Sequence, residues 1–531
     1  MRSRWETGQI HLGLGILACV LALLLWASEF RANAQPGIIS TTPLFSPSSG
    51  YFNHPISLKI DGTPPGAQLF YTLDGRDPQL DGERYTAPLT LKEGGVAVVR
   101  ASYQMADGSW GDQGYATYVI GEAGSLPRSL PVLSIIGDPA GLWDAERGLF
   151  DFPFARGIEW EREVMLMFFE GRRSEQAQQL AFASPAGLRI HGSASRSYPK
   201  QSLRLYFREA YGNGRLLSPL YEGQQQITLA NFDRLVLHSG SQDYATPNPD
   251  PRSNWTLLRT ALVYELAAEL GVPTTQSRPT LVFVNGRSYG IYQIRTFIDE
   301  TFLYDRYGFN AFDYFTISGD PGSPGALFEP TTEELPGKAA WIELMTYVEN
   351  HDVTDETVYR QLETMIDMDN FIDYVILQMY VANTDWLRNN VKLFRPASTR
   401  KWTWALWDVD DAFGLAPWNN VERDMLDWLH NSERRGLEQG SLVLRTLLEN
   451  ETFRQRYLQR LDELLQTTLA PDKVAGQLDE MAAEMRPDIH FETDLWTSSG
   501  DWEASVAEMR DFIMRRPTLM REHHEAFFGG S

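Results

Sequence analysis

The chain has little cysteine, little histidine and a deficit of positive charge. Its 531 residues include one cysteine, Cys19, and nine histidines, none of which forms a His-Glu-x-x-His motif. A disulfide framework and a cysteine-based zinc site are therefore excluded. Acidic residues outnumber basic ones by 70 to 47, which gives a formal net charge of −23. This balance argues against nucleic acid as a partner, because its phosphates are bound by basic patches.

Long apolar runs are missing beyond the N-terminus. Ile10–Ala27 is almost wholly apolar, follows Arg2 and Arg4, and precedes Ala32-Asn33-Ala34. This order predicts a signal peptide over residues 1–34 and an exported protein that is secreted, periplasmic or at the cell surface. The alternative is an uncleaved anchor, because a run of this length can just span a bilayer. After cleavage we expect no membrane-spanning segment.

Apolar residues, in contrast, are plentiful. They make up 43% of the chain and aromatic residues 12%, which suffices for a large core, and the length indicates two or three domains. Residues 36–122 read as all-β, because short alternating runs are separated by turn clusters such as Gly62–Gly66 and Asp74–Pro78. After a Gly/Pro/Ser-rich linker, Gly121–Pro131, strands and helices alternate, and the last hundred or so residues are mostly helical.

The N-terminal region carries a motif. Phe70–Pro78, followed by Tyr85 and Pro88, resembles the chitobiase/β-hexosaminidase C-terminal module. That resemblance implies a small immunoglobulin-like β-sandwich of a kind appended to many exported proteins, without a catalytic residue. Two roles stay open for it, a spacer and a glycan-binding module.

Three later segments combine the residue types that phosphoryl transfer uses. His191–Ser202 contains small residues followed by a lysine, which suits phosphate, although without Walker A spacing an ordinary hairpin is the alternative. Asn383–Asn390 has an Asp five residues before an Asn, as in the catalytic loop of protein kinases, but such residues also form turns. Trp407–Gly414 places Asp408 and Asp410 after a predicted strand, where they would chelate a hard cation or form a solvated turn.

The order of these segments is that of the parts of a kinase-like phosphotransferase. The stretch from about Leu130 to about Trp502 resembles the CotH kinase family, the spore-coat protein H-like atypical kinases. The motifs that carry the resemblance are Gly187–Phe207, Glu269–Pro273, Val284–Tyr292, Asn383–Asn390 and Trp407–Gly414. The resemblance implies an α+β fold, with an atypical protein-kinase-like domain after the small immunoglobulin-like β-sandwich. The predicted units are residues 1–34 (signal peptide), 36–122 (sandwich), 130–505 (kinase-like domain) and 506–531 (C-terminal helical tail).

The same resemblance implies ATP, with Mg²⁺ or Mn²⁺, as cofactors. It makes Asp385 the catalytic Asp and Lys200 a phosphate contact that also serves catalysis. The implied metal ligands are Asn390, Asp408 and Asp410, and the implied cofactor contacts are Ser193, Ser195, Arg196, Lys200 and Arg259. For Arg259, pairing with an acid such as Glu265 stays open as a structural alternative.

One position departs from the family pattern. Thr296 stands where the family usually has a glutamate shortly before Ile298-Asp299. If that glutamate orients the lysine, then Asp299, Glu300 or a glutamate distant in sequence must replace it, or catalysis is lost with the fold retained. Three functions stay open: a kinase that phosphorylates Ser or Thr of a surface or matrix protein, an inactive pseudokinase-like scaffold, and a protein that binds a polysaccharide through aromatic faces.

Overall fold

The fold is seen in a computed structural model, which describes residues 42–92, 94–121, 126–171, 180–212, 214–221, 231–244, 254–308, 312–317, 337–387, 390–430, 438–496 and 500–529. The predicted signal peptide, residues 1–34, lies outside these ranges. Within them, every helix is too short or too polar to cross a membrane.

The N-terminal unit is the predicted β-sandwich. One sheet has the strand order β1-β3-β6 and the other the order β2-β8-β7-β4-β5. Its elements are β1 (Leu44–Ser46), β2 (Gly50–Phe52), β3 (Ile56–Asp61), β4 (Gln68–Thr72), the short helix α1 (Pro78–Asp81), β5 (Glu83–Arg84), β6 (Leu89–Leu91), β7 (Gly95–Gln104) and β8 (Gly114–Ile120). Alternate residues of these strands, such as Leu58 and Val99, point into a shared apolar core.

The sandwich is joined to the rest of the chain by direct contacts. The Thr117 hydroxyl on β8 donates to the hydroxyl of Ser134 at 2.9 Å. Where the structure describes the predicted linker, Ser129 and Leu130 are buried, and their backbone N–H groups both donate to the Asp488 carboxylate at 2.8 Å. The two units therefore pack against each other and are not separated by a flexible linker.

The middle of the chain closes into a barrel of seven strands, in the order β10-β11-β12-β15-β17-β16-β9. The strands and helices of this part are β9 (Val132–Gly137), α2 (Pro139–Trp143), β10 (Arg162–Phe169), β11 (Leu180–His191), β12 (Ser202–Tyr206), β13 (Leu216–Leu217), β14 (Asn231–Phe232), β15 (Arg234–His238), α3 (Arg259–Glu269), β16 (Ser277–Val284) and β17 (Arg287–Arg295). Barrel neighbours are antiparallel except β9 and β16, which run parallel. The interior is filled by aliphatic and aromatic side chains, so it is a packed core.

A mainly helical lobe follows the barrel. It contains α4 (Glu300–Tyr307), β18 (Phe312–Ile317), α5 (Lys338–Asn350), α6 (Glu356–Met365), α7 (Met368–Tyr380), β19 (Val391–Pro396), β20 (Thr403–Leu406), α8 (Met425–His430), α9 (Glu438–Glu449), α10 (Glu451–Gln466), α11 (Pro471–Met485), α12 (His490–Thr493) and α13 (Trp502–Gly529). Strands β18, β19 and β20 form a small antiparallel sheet. The boundary predicted between residues 505 and 506 falls inside α13, whose Met509, Phe512 and Ile513 are buried in the core of this lobe.

Local sequence signals explain several of these elements. The hairpin predicted around Asn285-Gly286 forms between β16 and β17, and both turn residues have the positive φ (49° and 80°) that a type I′ turn requires. Helix α7 begins after Asp367, whose carboxylate caps it by accepting from the Asn370 N–H. This helix delivers the chain to the segment of Asp385.

Candidate active site

The loop between β11 and β12 contains the predicted phosphate-contacting residues, but Arg196 in this loop binds backbone carbonyls. The Arg196 guanidinium is buried and donates to the carbonyls of Ile190, Gly192, Pro153 and Ala155 at 2.5–3.2 Å. Its donors are thus used to hold the loop, which does not fit the predicted contact with a cofactor. Ser193 is exposed and Ser195 is partly exposed in the same loop.

Lys200, at the end of this loop, is fully buried and has a carboxylate partner. Its ammonium donates to Glu492 Oε1 at 2.7 Å and to the carbonyl of Ile291 on β17 at 2.6 Å. A lysine ammonium has three donors, so two of them are engaged here. Burial lowers the pKa of Lys200 and raises that of Glu492, and the opposite charge of each partner counters both shifts.

Glu492 reaches this position because α12 lies directly on β17. Its second oxygen accepts from the Ile291 N–H at 2.9 Å, so the carboxylate bridges a strand and a lysine. Gly290 makes this approach possible. A Cβ there would lie 2.3 Å from Glu492 Oε2, and the φ of +84° also favours glycine. Glu492 is therefore a glutamate distant in sequence that pairs with Lys200.

Thr296 does not take part in that pairing. It is buried just after β17, where its hydroxyl accepts from the Gln276 N–H at 3.3 Å. Asp299, one of the suggested substitutes, instead caps α4 by accepting from the Phe302 N–H and pairs with Arg234. Lys200 therefore has a carboxylate partner, Glu492, although position 296 is a threonine.

Arg259 forms a second buried ion pair, and the partner is not Glu265. Its Nη1 donates to Asp243 Oδ1 at 2.5 Å, and Asp243 also accepts from the Thr256 N–H at 2.6 Å. The neighbouring Gln242 N–H donates to Asp410 Oδ2 at 3.1 Å. The short segment that follows β15 therefore connects this ion pair to the acidic part of the site.

Asp385 lies in the predicted loop after α7 and is held there by asparagines. Asn390 Nδ2 donates to Asp385 Oδ2 at 2.9 Å, and the Asp385 N–H donates to Asn383 Oδ1 at 3.0 Å. Asn383 is in turn fixed by Gln378 Oε1 at 2.9 Å. The structure thus brings the side chains of Asp385 and Asn390 into direct contact.

Asp408 and Asp410 follow β20 and are crowded by like charge. Desolvation by the surrounding protein raises the pKa of Asp408 well above its ordinary value, and Asp410 and Asp385 raise it further. The buried Arg295 opposes that shift. The Asp408 N–H donates to the Tyr264 hydroxyl of α3 at 3.3 Å, which ties the acidic loop to the barrel side.

Backbone strain concentrates around these residues. Nine non-glycine residues of the described part have positive φ, and seven of them carry or adjoin site segments: Ser241, Leu257, Ala382, Leu387, Asn390, Asp408 and Phe413. Each such conformation costs about 1–3 kcal/mol and persists only where the surroundings enforce it, which is typical of functional sites.

The donor atoms on the acidic side fit a small hard cation. Asp408 and Asp410 offer carboxylate oxygens, and Asn390 offers an amide oxygen, the ligand types that Mg²⁺ and Mn²⁺ prefer. Among the residues that the structure describes, no three His, Cys, Asp or Glu side chains form a complete metal cage. Mg²⁺ does not need one, because it usually binds one or two carboxylates together with substrate phosphates and water.

Three site residues were missed from the sequence. They are Glu492, Asp243 and Lys392, of which only Lys392 had a local signal, since it follows the Asp385–Asn390 motif by two residues. Its ammonium is buried, donates to the Ile298 carbonyl at 2.9 Å and lies 4.1 Å from the ring centre of Trp407. Burial lowers the pKa of Lys392 to about 7, while Asp299 and Asp408 oppose the shift.

Comparison with known proteins identifies the family of the chain. A search of curated proteins gives no match. Among solved structures, the crystal structure of a Helicobacter pylori proinflammatory kinase, CtkA, matches with 9% identity over 55% of this chain and 91% of that chain, at a TM-score of 0.25. The model of the chitobiase/β-hexosaminidase C-terminal domain matches residues 47–104. The CotH kinase protein model matches residues 188–520, which is more than half of the chain and spans Lys200, Asp385, Asp408 and Glu492, so the chain belongs to the CotH kinase family.

Proposed function

We propose that the protein is an ATP- and divalent-metal-dependent phosphotransferase that acts on a Ser or Thr hydroxyl of another protein. The observation that carries this proposal is the Lys200–Glu492 pair, at 2.7 Å, which meets the lysine–glutamate requirement of kinases despite Thr296. Asp243 links the two sides of the site, since it acts electrostatically on Lys200 and neighbours Gln242, which binds Asp410.

Each residue then has a defined task. Lys200, fixed by Glu492, is fully buried beside the Tyr292 ring, and we propose that its remaining donor turns to phosphate oxygens when ATP binds. Asp385, oriented by Asn390, accepts the proton of the substrate hydroxyl. Asp408, Asp410 and the amide oxygen of Asn390 would hold Mg²⁺ or Mn²⁺, which supplies charge neutralisation at the phosphates when bound. Loose phosphoryl transfer needs positioning and charge more than covalent chemistry, and this set of side chains supplies both.

The proposals for the partner and the location rest on the sequence. The predicted signal peptide supports export, and we therefore propose a surface or matrix protein as substrate. For the N-terminal sandwich we propose a bracing role. Its contacts through Thr117 and the buried linker support this role, and its rings pack on one another, with Phe70 and Trp110 at 5.5 Å and Tyr71 and Tyr85 at 6.3 Å. A polysaccharide remains a second proposed partner of this unit.

Calorimetric titration of ATP into the mature protein, with and without Mg²⁺ or Mn²⁺, tests the nucleotide site. We expect metal-dependent binding that Asp408→Asn weakens by about tenfold or more, because a charge-assisted ligand is lost. The matched control is Asp81→Asn, at an exposed position of the sandwich, which should leave binding unchanged. Absence of ATP binding by the folded wild type with either metal would overturn the proposal.

The chemical step is tested separately with Asp385→Asn. We expect this variant to bind metal and ATP as the wild type does but to lose transfer of the γ-phosphate to a generic Ser/Thr acceptor such as casein, because the proton acceptor is gone. Binding without transfer by the wild type would support the inactive scaffold instead.

A further inference from the structure

A separate cavity opens beside α3, between that helix, the start of β16, α4 and α11. Its volume is about 230 Å³. Helix α3 turns one face toward it, where Ala261 and Ala268 provide space that larger side chains would fill. Its lining includes none of the residues proposed to bind ATP or metal, so an inference about it does not depend on the proposed function.

Polar groups in the wall of this cavity have no partner within the described part of the chain. Gln276 is only 8% exposed, and within the described residues neither its side-chain oxygen Oε1 nor its side-chain nitrogen Nε2 makes a hydrogen bond. Gln477 Oε1, on the opposite wall, is buried and also unpaired. A buried side-chain amide is stabilised by hydrogen-bond partners, so two such side chains in one cavity favour the binding of a polar group there.

Two carboxylates, Glu265 and Glu269, and one guanidinium, Arg306, line the cavity. Glu265 lies in the wall with its side chain open to solvent, and partial desolvation, followed by repulsion from Glu269, Glu484 and Glu480, raises its pKa to about 7. Glu269 is already engaged, since it accepts from Lys473 and from Gln477 Nε2. Arg306, also in the lining, donates to the Thr274 carbonyl at 3.0 Å. Glu265 is therefore the carboxylate that a ligand would meet.

Size and geometry decide which kind of cation fits. No three acidic side chains of the described residues converge as a metal cage would require, and the volume is far larger than one ion. It is also smaller than the roughly 300–1,000 Å³ of sites for drug-sized ligands. We propose that this cavity binds a small organic cation, a primary amine or guanidinium compound, whose charged group pairs with Glu265 and donates to Gln276 Oε1.

Calorimetric titration of the full mature protein with agmatine and putrescine, at 150 mM NaCl, tests this proposal. 1,4-Butanediol, which matches putrescine in size but lacks charge, serves as the ligand control. We expect saturable binding of at least one of the two amines and no binding of the diol. Failure of both amines to bind the folded protein would overturn the proposal.

Variants locate the binding. Glu265→Gln should weaken the amine by about tenfold or more, because a charge-assisted hydrogen bond is lost. Ala268→Leu should abolish binding by filling the cavity. Glu422→Gln, an exposed control whose side chain is 65% accessible, should leave the affinity unchanged. Affinity retained in Glu265→Gln would overturn the proposal, because it would show that the acidic surface attracts amines without a specific site. Competition between Mg²⁺ and agmatine in the Asp408→Asn variant would also overturn it, because it would show that the cavity is a metal site.

Discussion

On the lysine side of the candidate active site, Lys200 and Glu492 bury opposite charges 2.7 Å apart. The Ile291 carbonyl accepts from Lys200, and the Ile291 N–H donates to Glu492. On the acidic side, Asp408 and Asp410 crowd like charges together, with Asp385 close enough to add to the repulsion. The first side is a closed ion pair, whereas on the second side Arg295 offsets the like-charge crowding only in part, since the pKa of Asp408 stays raised.

This difference separates residues that support the fold from the acidic residues that we propose to bind a metal ion. A compensated buried pair can position a phosphate contact without a cofactor, whereas crowded carboxylates and positive-φ residues are costs that folding does not require. We therefore expect substitutions on the lysine side to lower stability and those on the acidic side to lower function while leaving stability unchanged or higher.

The largest effect on stability should come from Lys200→Met. Removing one partner of a buried ion pair leaves the other charge uncompensated, which costs about 3–5 kcal/mol in the free energy of unfolding. Urea denaturation measures it, with the exposed Lys59→Met as control. The double variant Lys200→Met/Glu492→Gln should recover part of the loss, because the charge is then removed while the acceptor for Ile291 N–H remains. If Lys200→Met lowered the free energy of unfolding no more than Lys59→Met does, Lys200 and Glu492 would not form a stabilising buried ion pair.

Gly290→Ala should have the next largest effect. The new Cβ would lie 2.3 Å from Glu492 Oε2, so α12 must move and the pair with Lys200 must lengthen. We expect a loss of about 1–3 kcal/mol in the free energy of unfolding. Gly271→Ala is the matched control, since it has a similar φ of +74° but no atom within 4 Å of the added Cβ. Equal losses in both variants would attribute the effect to backbone strain alone.

Asp408→Asn should behave in the opposite way. Without added metal, we expect the free energy of unfolding to stay equal or to rise by about 1 kcal/mol, because one of the crowded charges is removed. The pKa of Asp408 is higher in the fold than in the unfolded chain, so the ionised side chain destabilises the fold increasingly as the pH rises above the pKa of the unfolded chain. The stability gained by Asp408→Asn should therefore grow from pH 5 to pH 8.

The matched control for this prediction is Asp373→Asn. Asp373 is also largely buried but is paired with Arg460 at 2.7 Å, so its loss should lower stability. Denaturation of both variants at pH 5 and pH 8 makes the comparison. A loss of stability in Asp408→Asn as large as in Asp373→Asn would show that the acidic side is structural.

A final prediction concerns pH and Lys392, which neighbours the acidic side. Its pKa of about 7 in the fold is below the ordinary lysine value of 10.5, so the unfolded chain binds more protons between these two values. Stability should therefore rise with pH across that window, since the cost of burying the ammonium is relieved as it loses its proton. Lys392→Met should flatten this rise in denaturation measured at pH 7 and pH 9. If the slope of the unfolding free energy against pH were the same in Lys392→Met as in the wild type, groups other than Lys392 would account for the rise.

Local patterns in the sequence determined much of the fold. The Asn285-Gly286 turn, the sandwich strands and the helix before Asp385 depend on neighbours within a few residues, and so does the contact of Asp385 with Asn390. Turn conformation, side-chain alternation and capping are short-range effects, which the sequence expresses directly.

Only the tertiary structure decided which charges meet. Glu492 is 292 residues from Lys200, and no local pattern distinguishes it among 70 acidic residues. Arg196 stands in a loop that reads as phosphate-binding, yet carbonyls from a distant segment consume its donors. Ion pairing and hydrogen bonding act through space, and the folded chain alone brings their partners within 3 Å of each other.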